Sequence, residues 1–137
     1  MMASAADERE IVALINRYAT ALDNGDYALL RSCWADEVDV DYSTGEKWTS
    51  GDVLNAFMEK VHTGLTPMHM NSNFVIDDLG PDRAKGRTYY AAKIKRADGS
   101  LFVRADGWYD DEFTRINSEW KITRRYVTMI DIEGGNG

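Results

Sequence analysis

Two histidines occur among 137 residues, and imidazole is the side chain that titrates nearest neutral pH. His69 lies in an apolar run, Pro67-Met68-His69-Met70, that reads as a strand. Alternation puts Asn71, Asn73 and Val75 on its face, with Met68, Met70, Phe74 and Ile76 opposite. A face carrying His, Asn and Asn is either a hydrogen-bonded stretch of core or the wall of a site that moves protons. His62 falls near a helix end, where a cation suits the dipole, and reads as surface. Asp23 precedes Asn24-Gly25, which is ordinary turn chemistry. Catalysis is the other reading of the same carboxylate. Tyr18 lies on an apolar helix stripe, and Tyr42 points inward with Val38 and Val40; either can be plain core. Arg125 shares a strand face with Val127 and Met129, and a guanidinium buried there needs a partner.

Helices and strands must bring these groups together. Ile11, Leu14, Ile15, Tyr18 and Leu22 recur at helical spacing, with Asp7 and Glu8 in the first turn and Gly25 as the exit. Asp26 suits the cap of a second, short helix that buries Tyr27, Leu30, Cys33 and Trp34. Val38, Val40 and Tyr42 alternate with Asp39 and Asp41 in a half-buried strand, followed by a turn at Thr44-Gly45. Thr49-Ser50-Gly51-Asp52 resembles a capping box before a third helix that buries Val53, Leu54, Phe57 and Val61. Residues 68–77, 83–96, 100–113 and 120–132 read as long strands, with an Asp98-Gly99 hairpin between the second and third. Helices followed by a meander of strands predict one α+β domain, residues 1–137, frayed only at Gly134-Gly135-Asn136-Gly137.

Composition narrows the partners. A net charge of −7 repels phosphate backbones and anionic membrane surfaces, so neither nucleic acid nor membrane is expected. The single cysteine, Cys33, forbids an internal disulfide and a Cys-based zinc site. The acidic run from Asp36 to Asp41 reads as a solvated strand face rather than a calcium loop, so no metal is expected. No run reaches the roughly 20 apolar residues of a membrane span, and the N-terminal residues lack the pattern of a secretory leader. A cytoplasmic location is the expectation.

The ordered series Tyr18-Ala19-Thr20-Ala21-Leu22-Asp23-Asn24-Gly25-Asp26, Asp41-Tyr42, Met68-His69-Met70, Gly86-Arg87-Thr88-Tyr89-Tyr90, Gly107-Trp108-Tyr109-Asp110-Asp111-Glu112-Phe113 and Trp120-Lys121-Ile122 resembles the SnoaL-like branch of the nuclear-transport-factor-2-like superfamily. The likeness spans nearly the whole chain and is strongest to the group holding scytalone dehydratase, bile-acid dehydratase and lindane dehydrochlorinase. It implies a cone, with N-terminal helices packed on a curved, mostly antiparallel sheet that encloses a pocket. It also implies that Asp23 and His69 match an aspartate–histidine pair. Tyr18 matches a catalytic tyrosine of the bile-acid enzyme, and Tyr42 a tyrosine that polarises substrate in the scytalone enzyme. Arg125 matches the arginine assigned to the leaving chloride in the dehydrochlorinase. The chain departs from the group in three places: Leu22 stands where scytalone dehydratase has tyrosine, Tyr18 where the dehydrochlorinase has lysine, and Ala92-Lys93 where a second histidine would fall.

The implied activity is elimination of water without a cofactor. Phe57, Asn71, Tyr90, Tyr109 and Met129 would bind a small apolar or aromatic molecule. Two other readings stay open. The same fold serves as a non-catalytic assembly subunit of ring-hydroxylating dioxygenases. It also carries isomerases and epoxide hydrolases, and Arg104-Ala105-Asp106 looks like part of such a site, although alternation with Tyr109 turns Arg104, Asp106 and Trp108 outward. Trp120, Ile122, Tyr126 and Ile130 share one face opposite Arg125, which predicts burial on both faces and a homodimer or homotrimer.

Overall fold

A computed structural model describes residues 2–135. Helix α1 (Ala5–Asn24) starts on Ser4, whose hydroxyl accepts from the Asp7 N–H at 3.1 Å, and stops where Gly25 turns left-handed at φ 67°. Asp26 caps α2 (Tyr27–Cys33) by accepting from the Leu29 N–H at 3.1 Å. The chain then runs straight into β1 (Trp34–Tyr42), so Trp34 opens a strand rather than closing a helix. A four-residue strand, β2 (Lys47–Ser50), pairs with β1 and was too short to read from its own alternation. The cap of α3 (Gly51–His62) is Ser50, one residue after the expected Thr49. Four long strands follow: β3 (Thr66–Gly80), β4 (Arg83–Lys95), β5 (Leu101–Ile116) and β6 (Glu119–Gly134). Gly134 is thus strand; of the tail expected to fray, Asn136 and Gly137 lie outside the described residues.

The strands form one six-stranded sheet in the order β2-β1-β6-β5-β4-β3. Every pairing is antiparallel except β1 with β6. The core lies between the sheet's inner face and the helices, built on Ile11, Leu14, Ile15, Leu22, Leu30, Trp34, Leu54, Phe113 and Ile122. On α3 the residues that meet it are Leu54 and Met58. The expected set of Val53, Leu54, Phe57 and Val61 is corrected accordingly. The helix is rotated so that Val53 faces out, while Phe57 and Val61 turn toward the open space beside the sheet.

Register slips curl the sheet, and three of them bear on which residues face inward around the site. In β3 the register slips between Ser72 and Val75, where Asn73 holds φ 55°. Ahead of the slip Pro67, His69 and Asn71 face inward; beyond it Phe74 and Ile76 do. Asn73 and Val75 therefore leave the face they were expected to share with His69. In β6, Ile122 pairs with Phe113 while Arg124 pairs with Glu112, so Thr123 is the extra residue. That slip puts Trp120 and Ile122 on the same inner side as Arg125 and Val127, not opposite them. Only Tyr126 and Ile130 of the expected outer set stay outside. A third slip leaves Ile130 as the extra residue between Met129 and Asp131.

Glycines stand where the strands crowd. A Cβ on Gly107 would lie 1.8 Å from the Thr128 carbonyl oxygen beside the third slip, and one on Gly86 would lie 2.6 Å from the Val75 oxygen beside the first. Gly107→Ala must prise β5 from β6, and overpacking of this kind costs about 1–3 kcal/mol. A denaturant midpoint equal to wild type would contradict this account of the bulge.

Candidate active site

The end of α1 meets the start of β3. Asp23 sits one residue before the helix terminus, and His69 faces inward ahead of the first slip. The ring Nδ1–H of His69 donates to Asp23 Oδ1 at 2.7 Å. The backbone N–H of His69 donates to Asp23 Oδ2 at 2.9 Å. Both carboxylate oxygens are thus committed, and the side chains are 8 % and 22 % exposed for His69 and Asp23. A carboxylate only accepts, so Nδ1 carries a proton and Nε2 is the ring nitrogen left for a substrate.

The His69 ring lines a cavity of about 420 Å³ between α1, α3 and the inner face of the sheet. Of the residues expected at the site, Tyr18, Tyr42, Phe57, Tyr90, Tyr109 and Met129 also line it. Three expected residues stand off the wall. Asp23 is behind the His69 ring. Asn71 reaches α1, donating to the Ile15 carbonyl and to Asn16 Oδ1, both at 3.4 Å. Arg125 lies deeper still, its guanidinium 3.8 Å from the centre of the Tyr109 ring and 4.6 Å from that of Tyr18. It supports the floor made by those rings rather than facing the cavity.

Arg125 is held by Asp111, its cross-strand neighbour. Nε and Nη2 donate to the two carboxylate oxygens at 2.8 and 2.9 Å, and both side chains are 1 % exposed. Burial opposes charge on each partner, and the close bidentate contact holds the guanidinium protonated against it. Nη1 is buried without a partner among the described residues, which leaves it only the aromatic faces around it. Asp111 was missed in the sequence. It shares the inward parity of Ala105, Gly107, Tyr109 and Phe113, and that parity was the available signal.

Four tyrosines converge on the cavity. Tyr90 and Tyr109 stack at 4.5 Å, and Tyr18 meets Tyr109 edge-on at 6.3 Å. Burial raises the pKa of all four above the ordinary tyrosine value, offset in part by the positive charge of Arg125. They are neutral O–H donors at physiological pH, and the Tyr90 hydroxyl is buried with no partner among the described residues. Because the folded values are raised, the stability contributed by keeping these phenols neutral is complete below about pH 10. It is lost as pH climbs beyond that. In a spectrophotometric titration Tyr18, Tyr42, Tyr90 and Tyr109 are expected to resist ionisation until the chain unfolds in alkali. Normal titration of all seven tyrosines in the folded chain would contradict their burial.

Trp48 and His62 are among the wall residues that were not expected. Trp48, on the unread β2, packs edge-on against Tyr42 at 5.4 Å and tilted against Phe57 at 4.8 Å. His62, read as surface, is half-buried on the wall because α3 tucks its last turn against the cavity mouth. Arg104 and Asp106 are off the wall, as alternation with Ala105 and Tyr109 requires. Among the described residues no helix is long and apolar enough to cross a membrane.

The fold recurs in solved structures. A provisionally assigned scytalone dehydratase from Novosphingobium aromaticivorans superposes with a TM-score of 0.88 at 21% identity, covering 96% of this chain and 89% of that one. A provisionally assigned aromatic ring hydroxylase from the same organism gives 0.87 at 23% identity, covering 97% and 96%. A hexachlorocyclohexane dehydrochlorinase gives 0.82 at 16% identity, covering 96% and 90%. At these identities the likeness shows the fold. No curated protein matches the chain in sequence. A family model, the SnoaL-like domain, matches residues 3–126, nearly the whole chain. By that match, and by the cone of helices on a curved sheet that accompanies it, the chain belongs to the SnoaL-like domain family.

Proposed function

We propose that the chain is a cofactor-independent lyase of the dehydratase type, acting on a small apolar or cyclic hydroxy-carbonyl compound. The 2.7 Å contact between Asp23 and His69 at the wall of the tyrosine-lined cavity carries this reading. His69 Nε2 takes a proton from the carbon beside the carbonyl. The carbonyl oxygen gains negative charge, and a neutral tyrosine hydroxyl, Tyr18 or Tyr42, donates to it. Asp23 faces the positive charge that the ring acquires. The enolate then expels the β-hydroxyl, which takes the proton from His69 and departs as water. Electrons and protons balance, and the ring ends in its starting tautomer.

Two of the similar folds are named for eliminations, which agrees with this chemistry. A purely structural subunit, the reading favoured by the ring-hydroxylase likeness, has no need of an aspartate locked to a histidine at a cavity wall. Asp106 off the wall counts against the epoxide-hydrolase reading. A screen of cyclic β-hydroxy ketones, followed by the absorbance of the conjugated enone, tests the proposal. Elimination by the wild-type protein supports it, and an inert panel counts against it. With an active substrate, Tyr42→Phe is expected to lower kcat about 10²-fold at little change in fold stability. Unchanged kcat would remove Tyr42 from the mechanism.

The outer face of the sheet presents Tyr89, Trp108 and Tyr126, with the Arg87 guanidinium 5.0 Å over the Trp108 ring. We propose that this face supports a homodimer or homotrimer, for which light scattering is the measurement; a monomer at working concentration would refute it.

A further inference from the structure

His62 closes the side of the cavity formed by α3, next to Phe57, Met58 and Val61. Its Nδ1 lies 2.7 Å from the Met58 carbonyl oxygen. A carbonyl cannot donate, so Nδ1 carries the hydrogen and Nε2 is a bare acceptor. Nε2 makes no hydrogen bond among the described residues, yet it is not sealed in the core. Burial pushes His62 below the usual imidazole value, against the pull of the Met58 carbonyl, and the neighbouring His69 lowers it further. The ring is therefore neutral at physiological pH. His69 differs, because its Nδ1 is held by a carboxylate.

Nε2 is open to the cavity, where a ligand donor can replace water on it. Phe57, Met58 and Val61 beside it favour a hydroxyl carried on a compact apolar body. We infer that His62 Nε2 accepts a hydrogen bond from a hydroxyl of the ligand and so selects hydroxylated, largely apolar molecules over their ethers and parent hydrocarbons. The inference rests on the proposed function in taking this cavity as the substrate site, and not on the elimination itself. His62 acts here as a specificity residue on the opposite element from the proposed base.

The probes are 2-naphthol, 2-methoxynaphthalene and naphthalene. Calorimetric titration of wild-type protein is expected to give 2-naphthol roughly tenfold the affinity of the other two, within the usual worth of one hydrogen bond. His62→Leu is expected to erase that preference, and His62→Gln, which restores an acceptor, to recover most of it. The chain has two histidines, so a nitrogen-15 spectrum of the labelled imidazoles holds two rings. In free protein the His62 signal should show a protonated Nδ1 and a bare Nε2, and 2-naphthol alone should move the Nε2 resonance. A protonated Nε2 in free protein, absence of 2-naphthol binding, or a preference that survives His62→Leu would overturn the inference. His69→Ala should slow elimination roughly 10²–10⁴-fold yet keep the 2-naphthol preference, which separates failure of this inference from failure of the acid–base reading.

Discussion

Turnover of an active hydroxy ketone is expected to fall by roughly 10²–10⁴-fold in His69→Ala, the usual contribution of a positioned acid–base group. The substitution is a clean one on structural grounds. The backbone N–H of residue 69 still donates to Asp23 Oδ2, so the tie between α1 and β3 outlasts the ring. Circular dichroism and the denaturant midpoint should stay near wild type while kcat collapses. Asp23→Ala removes that tie together with the partner of Nδ1, so it should lose stability as well as rate. If His69→Ala turned over substrate like wild type, proton transfer by this ring would be excluded.

The largest loss of stability is expected from Asp111→Ala. It would leave the Arg125 charge buried with no counter-ion, and breaking such a pair costs about 3–5 kcal/mol. Much of the folding free energy of a domain this size is at stake. Replacing both partners, Asp111→Leu with Arg125→Met, removes the charge altogether and should be close to neutral or stabilising. The double variant also separates packing from electrostatics. It keeps an apolar support beneath Tyr18 and Tyr109 and discards the cation that opposes the burial-driven rise in their pKa. Wild-type stability in Asp111→Ala would mean that water reaches Arg125.

The helices were legible because their signals are local. Asp26 and Gly25 cap where a side chain or backbone freedom demands, and the stripe through Ile11, Leu14 and Tyr18 has one face to bury. Long strands were legible in number and extent. Their faces were not legible beyond each bulge, because one extra residue at Thr123 or Asn73 inverts every later side chain. The alternation of apolar and polar residues does not mark such a slip. That is why Trp120 and Ile122 were placed opposite Arg125. It also explains why Asp111 escaped notice, since its importance depends on meeting Arg125 across the strands.

The aspartate–histidine pair was expected from the family likeness and not from spacing, as 46 residues separate the partners. His62 was misread because a helix end is usually solvated, whereas this last turn abuts the cavity mouth. Asn71 was assigned to substrate on strand parity, which correctly turned it inward; α1 reached it first.

The central claim is that His69 removes a proton from carbon, and exchange in heavy water reads that step without requiring elimination to follow. Wild-type protein and His69→Ala would be incubated in D₂O with a cyclic β-hydroxy ketone, and the α-proton signal followed by NMR. Loss of that signal in wild type, together with its persistence in His69→Ala, is the expected result. Equal exchange in both proteins, or none in wild type across the panel, would contradict the acid–base role of the pair.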